Sequence, residues 1–110
     1  MNTRRYAQFS SAKVAVVTGM ILFTVSAQAT EALARKNDCM GCHAVATKLV
    51  GPAYKDVAAK YAGQADAQDM LVQSIRNGSV GKWGDLPMPA HPKLSEADAK
   101  KLAAWVLKAK

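Results

Sequence analysis

The chain has 110 residues, of which 50% are hydrophobic and 21% charged, with 15 lysines and arginines against 8 aspartates and glutamates and only two cysteines. That length is enough for one domain and no more. The formal charge of +7 is not gathered into a basic run or a dense basic helix, which argues against nucleic-acid binding.

The first 29 residues have the organisation of an export signal. Residues 1–13 are basic without an acid, and residues 14–25 form an apolar run. Ala27 and Ala29 then give the small-x-small pattern of a signal-peptidase site. We predict a cleaved signal peptide over residues 1–29 and one domain over residues 30–110. An uncleaved membrane anchor is the alternative, but the apolar run is short for a bilayer.

The segment from residue 30 onward is small and mildly basic, with 12 basic and 8 acidic residues. Such a balance suits brief docking to acidic or mixed protein surfaces. A domain of this size often depends on a disulfide, a metal or a cofactor. A bridge between Cys39 and Cys42 would close a very short loop and restrain little of the unfolded chain. We therefore expect a different stabilising group.

Four helices and no convincing strand are predicted, which makes the domain all-α. Thr30 is expected to cap the first helix, which runs to about Asn37. Pro52 stands at the favoured first position of the second helix, which Gly63 stops.

The other two helices have clear terminal signals. Asp66 is predicted to cap the third helix and Gly78 to follow its end. Ser95 is expected to begin the fourth through a capping-box pattern. Between them, residues 78–94 are too rich in glycine and proline for regular structure. We predict an ordered loop covering an apolar group, because this loop keeps Trp83 and Met88.

The string CMGCH at residues 39–43 is the most informative motif. Two thiols three residues apart can add to the two vinyl groups of one haem, and the adjoining histidine then reaches the iron. The motif predicts one covalent haem c, held by Cys39 and Cys42 and ligated by His43. A thioredoxin-like site would need a βαβ context. A zinc site would need a fourth ligand, and His91 is the only other histidine.

Candidates for the second axial ligand are three methionines and one histidine. Met40 lies inside the attachment motif, and Met70 lies within a predicted helix. Met88 is favoured because Pro87 and Pro89 fix the backbone on both sides of it. His91 stays open as an alternative, and so does a core-filling role for Met88.

These residues resemble those of the small bacterial class I cytochromes c, of the c-551 and c-552 type. The likeness is carried by CMGCH, by VGPAYKDVAAKYAG (residues 50–63), by IRNGSVGKWGDLPMP (residues 75–89) and by the final helix, and it covers residues 30–110. It implies a class I cytochrome c fold, with four to five short helices around one covalent haem.

The resemblance also implies roles for individual residues. His43 and Met88 are the axial pair, the Pro52 carbonyl accepts from the other His43 nitrogen, and Trp83 donates to a haem propionate. Two departures are Ala90 and His91 where many relatives have proline and then asparagine. A third is Ser74, where some relatives place a long basic side chain that reaches a propionate.

A haem with two protein ligands has no open coordination position, so the predicted function is one-electron transport and not catalysis. The expected setting is the periplasm, with a monomeric protein and no stable membrane insertion after cleavage. The expected donor is a cytochrome bc complex or similar, and the acceptor a nitrite reductase, oxidase or peroxidase. The alternative is a haem enzyme or gas sensor with a labile sixth ligand.

Overall fold

The computed structural model describes Ala15, Gly19 and residues 25–110, which form four α-helices and one short 3₁₀ helix. The apolar run and most of the predicted signal peptide lie outside the described residues. Within the described part, the only β pairing is one isolated bridge. No helix there has the length and apolarity to cross a membrane. The bounds of the helices are α1 Val25–Lys36, α2 Tyr54–Lys60, α3 Ala67–Asn77 and α4 Glu96–Leu107, with the 3₁₀ helix at Cys39–Gly41.

The first helix begins earlier than its sequence signals indicate. The expectation that Thr30 caps α1 is wrong, because α1 starts at Val25 and Thr30 lies inside it. The five residues before Thr30 include two alanines and neither glycine nor proline, so nothing in them prevents helix. The other end agrees with the prediction: the Asn37 side chain donates to the Leu33 carbonyl at 2.8 Å, and Asp38 adopts a left-handed conformation.

The second helix begins two residues later than predicted. Ala53 is its N-cap and Tyr54 its first residue. The Pro52 carbonyl accepts no helical N–H and faces the His43 ring instead. Gly63 follows the end of the helix with a positive φ of 78°.

The last two helices begin and end near the residues that their sequence signals indicate. Asp66 stands at the N-cap position of α3, but its side chain makes no capping hydrogen bond, and Gly78 follows the helix with a φ of 77°. At the start of α4 the Ser95 hydroxyl accepts from the Asp98 backbone N–H at 3.1 Å. This cap satisfies one of the free donors at the helix start.

The core forms where α4 packs against α1, α2 and α3. Ala34 on α1 and Ala99 and Ala103 on α4 are fully buried, and such small side chains let helices approach closely. Larger side chains fill the space toward α2 and α3. They are Tyr54, Val57, Tyr61, Leu71, Val72, Leu102 and Val106.

The loop over residues 78–94 is closed by backbone hydrogen bonds. Ser79 and Met88 exchange both N–H···O bonds, at 3.1 and 2.8 Å. The His91 N–H donates to the Ile75 carbonyl at 3.0 Å, which fixes the end of the loop to α3. The loop over residues 78–94 is therefore held in an ordered conformation by backbone hydrogen bonds.

Candidate functional site

The CMGCH motif folds as a tight turn after α1. Asp38, with a φ of 59°, reverses the chain into the 3₁₀ helix. The N–H groups of Cys42 and His43 both donate to the Cys39 carbonyl, at 3.2 and 3.0 Å. Both cysteines are half-buried, and no disulfide joins them. The turn therefore places two thiols and one imidazole on a short stretch of rigid backbone.

The environment of Cys39 favours a neutral thiol. Burial raises the pKa of the Cys39 thiol, and the nearby carboxylate of Asp38 adds to this effect. Redox exchange and zinc binding both use a thiolate. Moreover, no cluster of three His, Cys, Asp or Glu side chains suited to a metal occurs in the described residues. Among the described residues, the zinc alternative therefore lacks a ligand set, and the thioredoxin-like alternative lacks the strands of a βαβ unit.

Two neighbours fix the imidazole of His43. Its Nδ1 lies 2.8 Å from the Pro52 carbonyl oxygen. A carbonyl only accepts, so Nδ1 carries the proton and Nε2 keeps its lone pair for a metal. The ring also stacks on Tyr54, with centroids 5.0 Å apart and planes 18° from parallel. Trp105 meets the same tyrosine edge-on at 5.1 Å.

The backbone at Gly51 lies so close to the His43 ring that no side chain would fit between them. A Cβ built at position 51 would lie 2.5 Å from Cε1 and 2.9 Å from Nδ1 of His43. The prediction from sequence did not include this glycine. Its position immediately before Pro52, the carbonyl partner of His43, was the available signal.

His43 and Met88 line the same two adjoining cavities. Counting the space open to solvent, these cavities have empty volumes of about 880 and 780 Å³. Cys42 also lines both, whereas Cys39 lines only the second. The walls between these residues are mainly apolar and include Val57, Leu71, Ile75, Leu102 and Val106.

Met88 is the methionine that the fold brings to the cavities. Neither Met40 nor Met70 lines them, and both pack partly buried against the core. The bridge to Ser79 holds the backbone of Met88 on both its N–H and its carbonyl. His91 reaches the second cavity only, and its Nδ1 is buried without a hydrogen-bond partner.

The two tryptophans both border this space. Trp83 lines the first cavity and is 39% exposed, with the Lys60 ammonium 4.4 Å from its ring centroid. Trp105 is partly buried against the core and also lines the second cavity. Sequence periodicity could place Trp105 on the inner side of α4 but could not show that the core is open there.

The site fits a haem. It offers thiols, a histidine with a free Nε2 and a thioether, arranged around mainly apolar cavities. Ser74 and Lys82 are among the polar residues that line the first cavity.

Comparison with known proteins agrees with this chemistry. A sequence model of the cytochrome c family, described as "Cytochrome c", matches residues 27–110. The chain belongs to the cytochrome c family. Cytochrome c-552 of Nitrosomonas europaea is 56% identical over 81 residues, covering 74% of this chain and 79% of that protein. Cytochrome c-551 of Pseudomonas aeruginosa is 54% identical over 84 residues, covering 76% and 80%.

Solved structures of the family show the same fold. The crystal structure of wild-type N. europaea cytochrome c552 matches with a TM-score of 0.71 at 54% identity, covering 73% of this chain and 99% of that one. The class 1 cytochrome MtoD of Sideroxydans lithotrophicus matches with a TM-score of 0.66 at 35% identity, covering 74% and 94%. The predicted all-α class I cytochrome c fold is thereby confirmed. As a family member, this cytochrome carries one covalent haem c and acts in electron transfer.

Proposed function

We propose that this cytochrome is a periplasmic one-electron carrier whose haem lies between His43 and Met88. The observation that carries the proposal is that these two side chains line the same pair of apolar cavities from different parts of the chain. Haem iron supplies the one-electron couple when it is bound. The protein contributes the ligands, the dry surroundings and the exposed edge for exchange.

In this proposal each site residue has one task. Cys39 and Cys42 form the thioethers, and His43 binds iron through Nε2 while Pro52 fixes the ring through Nδ1. Met88 provides the opposite ligand, and Trp83 donates from its indole to a propionate at the cavity edge. A methionine sulfur favours the ferrous state and raises the reduction potential.

A closed coordination sphere favours a carrier over a haem enzyme or gas sensor. Ser79 bonds both backbone groups of Met88, and prolines flank it. A ligand held in this way exchanges slowly, which suits outer-sphere electron transfer. The protein is thus proposed not to be an enzyme.

Export rests on the organisation of residues 1–29, and we propose that cleavage there leaves a monomer of residues 30–110 free in the periplasm. The partners proposed are a cytochrome bc complex or similar donor and a nitrite reductase, oxidase or peroxidase as acceptor. Each contact would be small and brief, because turnover needs rapid release.

The docking surface proposed for these partners is an apolar patch of Leu49, Val50 and Leu86, which are 47%, 58% and 69% exposed. Val50 and Leu86 also line the first cavity, so the patch borders the haem edge. Exposed apolar clusters of this kind mark interaction sites. Met40, in the attachment motif, is partly buried against the core and is not counted in the patch.

A basic rim of Arg35, Lys48 and Lys82 would suit this patch, but two of these three residues have partners within the chain. Arg35 is paired with Glu31 at 2.6 Å, and the Lys82 ammonium donates to the Ser74 hydroxyl at 2.9 Å. Lys48, an exposed residue beside Leu49, remains as the steering charge.

Met88→Ala in the holoprotein tests the proposed function. It should abolish the weak far-red sulfur-to-iron absorption band and lower the reduction potential by at least about 59 mV, a tenfold change in the one-electron equilibrium. Met70→Leu is the matched control, because Met70 packs against the core and lines neither cavity. An unchanged band and potential in Met88→Ala would refute the ligand assignment.

A further inference from the structure

Ser74 and Lys82 form a polar contact at the edge of a mainly apolar cavity. Ser74 is the one buried polar residue in the described part of the chain, at 8% exposure. The Lys82 ammonium donates to its hydroxyl at 2.9 Å, and both residues line the first cavity. Lys82 as a whole is exposed, but this hydrogen bond holds its ammonium at the rim of the cavity.

A second ammonium group stands close by. Lys60 donates to the Lys82 backbone carbonyl at 2.9 Å and lies over the ring of Trp83. Two cations therefore converge on residues 82–83. Neither joins an ion pair with an acid: the pairs found in the described residues are Glu31–Arg35, Glu96–Lys100 and Asp98–Lys101.

The ammonium groups of Lys60 and Lys82 have no anionic partner in the described residues, and a haem carries two carboxylates that could supply one. We propose that Lys82, oriented by the Ser74 hydroxyl, is the cationic anchor of a haem propionate, with Lys60 as a supporting charge. Ser74 stands where some relatives place a long basic side chain. In this chain the positive charge comes from the loop and the serine positions it.

In partner docking, by contrast, the Lys82 ammonium would contact the partner and not the haem. It rests on the haem placement proposed above. A fixed positive charge beside the haem stabilises the ferrous form, which is the less positive of the two states. Removing that charge should therefore lower the reduction potential without disturbing the axial ligands.

Reduction potentials of holoprotein variants test the assignment. Lys82→Met should lower the one-electron equilibrium constant about threefold, or roughly 28 mV at 59 mV per tenfold, while Lys82→Arg should stay near the wild-type value. Ser74→Ala keeps the charge of Lys82 but removes the hydroxyl that orients it. Its reduction potential should therefore fall by part of the Lys82→Met shift. Lys55→Met is the matched control, because Lys55 is exposed and lines neither cavity.

The far-red band of each protein separates the two proposals. Absence of the band in the wild-type holoprotein would refute the haem placement itself. A retained band with a Lys82→Met shift no larger than that of Lys55→Met would overturn the anchoring role alone. A Ser74→Ala potential equal to wild type would overturn the positioning role of the serine.

Discussion

The imidazole of His43 occupies the space that any side chain at Gly51 would need. A Cβ at position 51 would lie 2.5 Å from Cε1, 2.9 Å from Nδ1 and 3.0 Å from Nε2 of His43. Gly51 is also tied to the attachment turn, since its N–H donates to the Cys42 carbonyl at 2.7 Å. The backbone at Gly51 can therefore not withdraw from the ring without breaking a short hydrogen bond.

Gly51→Ala should displace the His43 ring and weaken its hydrogen bond to Pro52. Overpacking of this kind costs about 1–3 kcal/mol. We expect a loss of that size in the unfolding free energy of the holoprotein, with an altered haem spectrum. Gly41→Ala is the control, because a Cβ there meets nothing within 4 Å. Equal unfolding free energies of Gly51→Ala and Gly41→Ala would show that the close approach of position 51 to His43 does not affect stability.

Gly78→Ala should loosen the loop that presents Met88. Gly78 has a φ of 77°, and a Cβ there would lie 2.7 Å from the Met88 carbonyl oxygen. Gly63 has nearly the same φ of 78°, a Cβ there meets nothing within 4 Å, and it lines neither cavity. Gly63→Ala therefore measures backbone strain alone, about 1 kcal/mol. We expect Gly78→Ala to be less stable than Gly63→Ala and to weaken the far-red band, and identical behaviour would contradict this.

Tyr54 should make the protein sensitive to alkali. Burial raises the pKa of the Tyr54 phenol well above its ordinary value of 10, and the nearby cysteines add to the effect. The unfolded chain releases the phenol proton from about pH 10, whereas the folded protein retains it. The unfolding free energy should thus fall above pH 10, by up to about 1.4 kcal/mol per pH unit.

The Tyr54→Phe variant isolates that effect. Its stability relative to wild type, followed by far-UV circular dichroism, should be constant below about pH 9 and should improve steadily above pH 10. If the difference in unfolding free energy between Tyr54→Phe and wild type stayed constant over the whole pH range, Tyr54 would ionise equally in the folded and unfolded states.

The docking patch can be tested by charge placement. Val50→Glu puts an acid beside the cavity and should slow the bimolecular reaction with a purified cytochrome bc complex about tenfold at low salt. Lys48→Glu should act in the same direction and lose its effect as salt rises. Lys48→Glu should leave the reduction potential nearly unchanged, because Lys48 lines neither cavity, whereas Val50→Glu places a negative charge at the first cavity and should also lower the potential.

Val80→Glu provides the comparison for this patch. Val80 is 75% exposed, more than Val50, but it lines neither cavity. It should therefore reduce the rate less than Val50→Glu. If the rates of Val50→Glu and Lys48→Glu both equalled that of wild type, the proposed surface would be wrong.

Local signals predicted the parts of the fold that depend on local chemistry. Ser95 caps α4 through its own side chain, and Gly78 ends α3 with the positive φ that glycine adopts readily. The starts of α1 and α2 were misplaced. At α2 the cause is tertiary, because the Pro52 carbonyl faces the His43 ring and not a helical N–H.

The candidate site was predictable in its chemistry, and the resemblance also implied one of its contacts, between His43 Nδ1 and the Pro52 carbonyl. The CMGCH spacing and the prolines around Met88 are local features, so they indicated thioether formation and a fixed sulfur. The Ser74 contact with Lys82 and the Gly51 contact with His43 join separate segments. Nothing in a single sequence measures those distances. The pairing of Arg35 with Glu31 was available from their spacing of four residues and was overlooked.

The packing of α1 against α4 joins the two ends of the described domain. The haem-attachment cysteines follow α1 directly, whereas α4 is the last helix along the chain, roughly 50 residues later. Bringing such distant segments together closes a long loop and costs more chain entropy than forming the local turn at Cys39–Gly41 does. We therefore expect the attachment turn to form more readily than the α1–α4 contact when the chain folds.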